Sequence, residues 1–269
     1  QLSPYINKKL ILTGTPMPQA PSDLRPQFNF LYPHEHIIND DELVEKFNPV
    51  YVRTTKENLG LMKPIYNIHK ISPYPAFKIF YDEYFAKRLA EGATLEEILS
   101  VKSFKEAVLK LLKLLSNPAS CFDDIFDLDP SLANHIQDEG DGAKIDAVIK
   151  RANALINQGE KVIIWSSFVI NVELIAQKFG NKAVYIHGGV PSKSEEDSFA
   201  EFDSREEKIR RFKTDSECMV LVANPAAAAE SISLHKQCNY ALYLDRTYNA
   251  GQFLQSQDRI HRLISKELE

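Results

Sequence analysis

The run Gln255-Ser256-Gln257-Asp258-Arg259-Ile260-His261-Arg262 concentrates the side chains of this sequence best suited to chemistry. On a helix, Gln255, Arg259 and Arg262 are spaced four and three residues apart and would share one face. Two guanidiniums side by side repel, and a structural face would more often pair each with a carboxylate. Aligned arginines facing a cleft suit a polyanion instead. Their planar forks bind phosphate oxygens and stabilise the charge that develops in phosphoryl transfer. The alternative is a solvated basic helix face with Asp258 as local partner.

Such a group needs a scaffold to aim it, and residues 143–269 carry the pattern of one. A helix over Lys144–Asn157 is followed by Gly159 and the apolar run Lys161–Trp165. A helix around Asn171–Phe179, the run Ala183–Ile186 and a charged helix around Arg205–Lys213 come next. Two further apolar runs, Cys218–Ala223 and Tyr240–Leu244, precede a helix beginning near Gly251. Short apolar strands alternating with helices predict an α/β fold with a parallel sheet covered on both faces. Ligands of such sheets bind at the carboxyl ends of the strands. Those ends carry Ser166-Ser167, His187-Gly188-Gly189, Asn224-Pro225 and Asp245-Arg246. The basic run Lys208, Arg210, Arg211 and Lys213 reads as a solvated helix face.

Two other regions precede this lobe. In residues 1–33, Leu10-Ile11-Leu12 reads as a buried strand ending in the tight loop Thr13-Gly14-Thr15-Pro16. Pro18, Pro21 and Pro26 argue against a long helix before Phe28–Tyr32. Residues 34–142 read as mainly helical. Phe77, Phe80, Tyr81, Tyr84 and Phe85 form an aromatic stripe within Ala76–Ala90, core by its spacing rather than a base-stacking surface. Phe104–Leu115 is a second amphipathic helix, stopped by Asn117-Pro118. Asp40-Asp41-Glu42-Leu43 resembles a magnesium-binding DExx box only superficially and reads as a helix start capped by Asp40 or Asp41. His34-Glu35-His36 reads as loop polarity rather than a metal pair. The domain boundary falls at Gly140–Gly142.

Composition narrows the class. No window approaches the roughly 18 consecutive apolar residues of a membrane span, so no membrane partner is expected. Cys121, Cys218 and Cys238 lie far apart without CxxC spacing, which points away from zinc or disulfides and toward a reducing, intracellular compartment. A net charge of −5 argues against coating nucleic acid by bulk charge, while allowing a local basic groove.

The spacing Q-x-x-x-R-x-x-R resembles motif VI of superfamily-2 helicases, and Q-x-Q-D-R-x-H-R resembles the Swi/Snf-type branch in particular. Other pieces fall in the family's order. Leu12–Gln19 resembles motif III, Val52-Arg53-Thr54-Thr55-Lys56 the arginine/lysine block after the first lobe, and Leu111–Pro118 the segment ending in Asn-x-Pro. Val162–Ser167 is similar to motif IV, and Ala227–Leu234 lies where motif V belongs.

The resemblance implies a RecA-like second lobe over 143–269, a helical insertion over 34–142 and a remnant of the first lobe over 1–33. It implies an ATP hydrolase that closes two lobes on ATP and Mg2+ and moves along nucleic acid, with double-stranded DNA as first substrate. Arg259 and Arg262 would be arginine fingers at the γ-phosphate, with Gln255, Asp258 and Ser231 beside the nucleotide. Thr13, Gly14, Thr15, Ser166, Ser167, His187, Gly188, Gly189, Asn224 and Ser233 would face nucleic acid, exposed backbone N–H groups acting as donors. A strand-separating DNA or RNA helicase and a non-catalytic docking module are the two rival readings.

The chain also departs from the pattern. Ser231 and the run Pro225–Ala229 replace the glycines and basic residue usual in motif V, and Ile264 stands where Gly is usual. The Asn-Pro-Ala-Ala-Ala loop resembles that of some bacterial and phage relatives, which would place the protein in a bacterial cytoplasm. None of the ten glycines opens a G-x-x-x-x-G-K-[ST] loop. With no initiator Met and no phosphate cradle, the chain reads as a fragment that is inactive by itself, its ATP and Mg2+ held mainly by a missing N-terminal lobe.

Overall fold

The computed structural model describes residues 3–14, 16–17, 20–36, 39–190, 204–228 and 232–262. The strands among them are β1 (Val162–Trp165), β2 (Ala183–Ile186), β3 (Val220–Ala223) and β4 (Tyr240–Tyr243). They form one parallel sheet in the order β2-β3-β1-β4. Every residue of β1 and β3 is buried, because helices cover both faces of the sheet.

The helices follow in chain order. They are α1 (Leu24–Leu31), α2 (Asp40–Phe47), α3 (Pro75–Tyr81), α4 (Lys87–Ala90), α5 (Leu95–Leu99) and α6 (Phe104–Ser116). Next come α7 (Phe122–Phe126), α8 (Pro130–Asp138), α9 (Ala143–Ile156), α10 (Val169–Phe179), α11 (Arg205–Thr214), α12 (Pro225–Ala228) and α13 (Ala250–Gln257). The two-residue period of a strand sorts β1 between two cores. Val162 and Ile164 pack with Ile145 and Leu155 of α9 and with Val172 and Ile175 of α10. Ile163 and Trp165 pack with Phe212 of α11, Leu221, Leu234 and Ile260.

A separate helical core holds Phe77, Phe80, Phe85, Ile98, Leu114, Ile125 and Ile136, so the aromatic stripe is core as its spacing predicts. Its helix is not continuous: Asp82–Ala86 form a π-helical segment between α3 and α4. The wider turn aligns residues five apart, and Phe80 and Phe85 meet edge to face with both rings buried.

The helical unit meets the sheet lobe through buried polar groups. The Asn117 Nδ2 donates to Asn171 Oδ1 at 2.9 Å, and Asn171 Nδ2 donates to Ser116 Oγ at 3.1 Å. Beside them Gly142 adopts φ +104°, and a Cβ there would stand 2.7 Å from Cδ of Pro118. The turn entering α9 therefore demands glycine twice, by conformation and by contact.

Several expectations are corrected. Leu10-Ile11-Leu12 forms no strand, and Leu10 and Leu12 are exposed, since no described strand lies beside them to complete a ladder. Pro26 sits inside α1, tolerated in the first turn, where backbone N–H groups have no helical acceptor. The cap of α2 is Asn39, whose side chain accepts from Glu42 N at 2.8 Å, rather than Asp40 or Asp41. Residues 51–74 contain no helix. Lys208 belongs to no solvated face: it is buried, its Nζ 3.9 Å from the centre of the Tyr185 ring. No helix of the described residues is long and apolar enough to cross a membrane.

Candidate functional site

The carboxyl ends of β1, β3 and β4 converge on Asp245. Its carboxylate accepts from Ser166 Oγ at 2.6 Å and from the Ser167 backbone N–H at 2.7 Å. Ser166 Oγ also accepts from Phe168 N at 3.3 Å. Asn224 joins the same knot: Nδ2 donates to Ser167 O at 2.9 Å, and Oδ1 accepts from Ala226 N at 2.9 Å. Ser166, Asn224 and Asp245 are all buried. Burial lowers the Lys144 pKa while the Asp245 charge works against that shift, so this lysine of α9 lies within the field of the knot.

After β2, His187 stacks on Tyr185 with ring centres 5.5 Å apart. Its Nδ1 accepts from the Gly189 N–H at 3.1 Å, and Nε2 lies 3.0 Å from Glu173 Oε1. Gly188 and Gly189 are exposed. The strand ends therefore carry the predicted residues. The N–H groups of Ser167 and Gly189, however, are engaged within the protein rather than turned outward.

The arginine run departs from its helical reading. Helix α13, capped at Asn249 by a hydrogen bond from Gln252 N at 3.1 Å, ends at Gln257. Asp258, Arg259 and Ile260 then turn, with Ile260 packed against the core under β1. Arg259 and Arg262 consequently do not share a helix face. Arg259 is buried at 6% exposure, and its Nη1 reaches Ile232 O at 3.5 Å. Arg262 is exposed, its Nε donating to Asp258 O at 2.7 Å.

The field at this turn is positive. Burial first, then the charges of Arg262 and Arg205, lower the Arg259 pKa, with Asp258 opposing them. Guanidinium remains charged nonetheless. His235 is lowered by burial and by Lys236, Arg262 and Lys213. Ser233 sits beside it, Oγ 3.0 Å from His235 Nδ1.

Gln255 is half-buried on α13. Asp258 is ion-paired with Lys56, the first residue of a turn over 56–60. Thr13 and Gly14 are exposed in a stretch tied to α1, where Ser3 Oγ donates to Phe30 O at 2.5 Å and Gln27 Nε2 to Pro16 O at 2.8 Å. Thr15 and Ser231 lie outside the described residues. Sequence reasoning noted Asp245 only as a strand-end residue and missed its role as the hub. A single carboxylate after a fully apolar strand was the available signal. Lys56 gave no signal of its partner, which is 202 positions away.

The family described as "Helicase conserved C-terminal domain" matches residues 143–264, which hold the sheet and the arginine turn. The crystal structure of the C-terminal part of the Fun30 ATPase domain is similar over 76% of this chain and 82% of that one, at 18% identity and a TM-score of 0.52. The SWI2/SNF2 ATPase core domain of Sulfolobus solfataricus aligns over 93% of this chain and 49% of its own, at 16% identity and a TM-score of 0.48. The helicase domain of Hef from Pyrococcus furiosus aligns over 83% and 42%, at 15% identity and a TM-score of 0.35. No curated protein matches the chain. The expected α/β, RecA-like lobe is thus the fold observed. The likeness to the Fun30 ATPase structure, at 18% identity, is a likeness of fold.

Proposed function

We propose that this chain, which carries a helicase conserved C-terminal domain, is the C-terminal portion of an ATP-dependent motor that translocates on double-stranded DNA. The observation that carries the reading is the tie between the arginine turn and the segment after α12. The Leu234 N–H donates to Arg259 O at 2.8 Å, and the buried Arg259 guanidinium reaches Ile232 O. Ser233, assigned to nucleic acid, and Arg262, assigned to nucleotide, therefore belong to one mechanical unit. A force on either is felt at the other, as a motor requires. Burying a guanidinium is costly, and a passive docking platform has no use for it.

The residues described fit one part of an ATP site. Arg262 can offer its terminal guanidinium nitrogens to a phosphate oxygen, and Arg259 stiffens the turn that carries it. ATP supplies the phosphoryl group whose transfer drives the motor. The cradle for its inner phosphates does not fit here, since no G-x-x-x-x-G-K-[ST] loop occurs. Among the described residues no three His, Cys, Asp or Glu side chains converge as a metal site. Mg2+ and the cradle would belong to the opposing lobe of the motor, and these 269 residues alone would not hydrolyse ATP appreciably.

The test is ATP hydrolysis by the complete protein without nucleic acid and with duplex DNA, single-stranded DNA or RNA. We expect duplex DNA to stimulate most, and Arg262→Ala to lower the stimulated rate by roughly 10³-fold or more, the scale of an arginine finger. Stimulation coupled to strand separation would favour the helicase reading. No hydrolysis under any condition would leave a docking module as the better account.

A further inference from the structure

We infer that Lys56 is a positioning residue for Arg262, holding the Asp258 carboxylate away from the guanidinium that must meet phosphate. The inference rests on the reading of Arg262 given above. Asp258 lies four residues before Arg262, and the Arg262 Nε already donates to the Asp258 backbone oxygen at 2.7 Å. The guanidinium is thus held beside the one residue best placed to neutralise it. Lys56 prevents that neutralisation, because its Nζ is ion-paired with Asp258 Oδ1.

The lysine is held in turn. Its Nζ donates to His261 Nδ1 at 3.1 Å, and His261 Nε2–H donates to Met62 O at 2.8 Å. Tyr66 OH donates to Gln257 Oε1 at 3.2 Å. Residues 56–66 therefore form a strap across the arginine turn, gripping Gln257, Asp258 and His261. Among the described residues Arg262 has no carboxylate partner, and it is exposed. The arginine/lysine block after the first lobe thereby acquires a task within the second lobe: it fixes which charge near the turn is available.

Without Lys56, pairing of Asp258 with Arg262 at an exposed site would be favoured by roughly 1.4- to fivefold over the open arrangement. The fraction of molecules with an available Arg262 would then fall about two- to sixfold. Removing Asp258 as well would restore it.

The experiment compares Lys56→Ala, Lys56→Arg, Asp258→Asn and the double variant Lys56→Ala/Asp258→Asn by two readouts. In the complete protein, Lys56→Ala should lower kcat for duplex-stimulated ATP hydrolysis about two- to sixfold. Lys56→Arg should keep wild-type kcat; the double variant is read by the resonance, because Asp258 itself stands beside the nucleotide in the motor reading. In the isolated chain, the Arg262 Nε–H resonance should shift in Lys56→Ala and return in the double variant, with melting temperatures unchanged. A double variant whose Arg262 resonance stays displaced as in Lys56→Ala would overturn the inference and leave Lys56 a mere prop. Absence of ATPase in the wild type would defeat the motor reading, and the resonance would still decide whether Lys56 governs Arg262.

Discussion

Replacing Asn171 by alanine would open the seam between the helical unit and the sheet lobe. The Asn171 side chain is fully buried, as is that of Ser116, and Asn117 is 2% exposed. Ser116 keeps a partner in the variant, because its Oγ also donates to Lys113 O at 2.9 Å. Asn117 Oδ1 likewise keeps the Ser120 N–H at 3.1 Å. The Asn117 amide Nδ2, however, loses its acceptor in a place water does not reach. An orphaned buried donor costs about 1–3 kcal/mol, and the vacated volume adds roughly 1 kcal/mol, about 2–4 kcal/mol together. Urea melts followed by fluorescence would measure it cleanly, because Trp165 is the sole tryptophan and sits buried in β1. With a urea slope of about 1–3 kcal/mol per molar, the midpoint should fall by roughly 0.7 M or more. Asn117→Ala/Asn171→Ala should cost less than the two single changes summed, since it leaves no orphan. A midpoint unchanged within about 0.2 M, or strictly additive single changes, would refute the claim that this amide pair fastens the seam.

Gly142→Ala should destabilise by about 2–4 kcal/mol, combining a disfavoured positive φ with a Cβ driven into the Pro118 ring; a thermal shift below that of an exposed-helix alanine substitution would contradict it. Burial pushes the Cys238 thiol from 9.0 up to about 11. The folded state therefore holds its proton where the unfolded chain has lost it. The associated stability is intact below pH 9 and drains away as pH rises toward about 11, by at most about 2–3 kcal/mol. Denaturation curves at pH 8 and pH 10.5 should show this loss in the wild type and a smaller one in Cys238→Ala. Tyr243, pushed up to about 12 mainly by burial, adds a further loss above pH 10, which Tyr243→Phe should remove.

Much of the lobe was legible because its information is local. Val162–Trp165, Ala183–Ile186 and Val220–Ala223 are unbroken apolar runs that only a sheet covered on both faces can bury. The helices read over Phe104–Leu115 and Arg205–Lys213 each fall within a residue of those observed. The strand ends were identifiable for the same reason.

Tertiary structure decided what those residues are free to do. Leu10-Ile11-Leu12 has the pattern of a buried strand and lies exposed, since a strand is completed by a neighbour and not by its own composition. Equal spacing put Arg259 and Arg262 on one face only while a helix continued. The tie of Leu234 N to Arg259 O and the packing of Ile260 end it, burying one arginine and presenting the other. Ser166 and Ser167 are claimed by Asp245, nearly 80 positions away. Lys208 is drawn from a basic helix onto Tyr185, and Asp258 is held by Lys56. Covalent spacing sets the periodicity that a sequence displays. Which donor meets which acceptor across the fold is a matter of distance in space, and the order of residues along the chain does not record it.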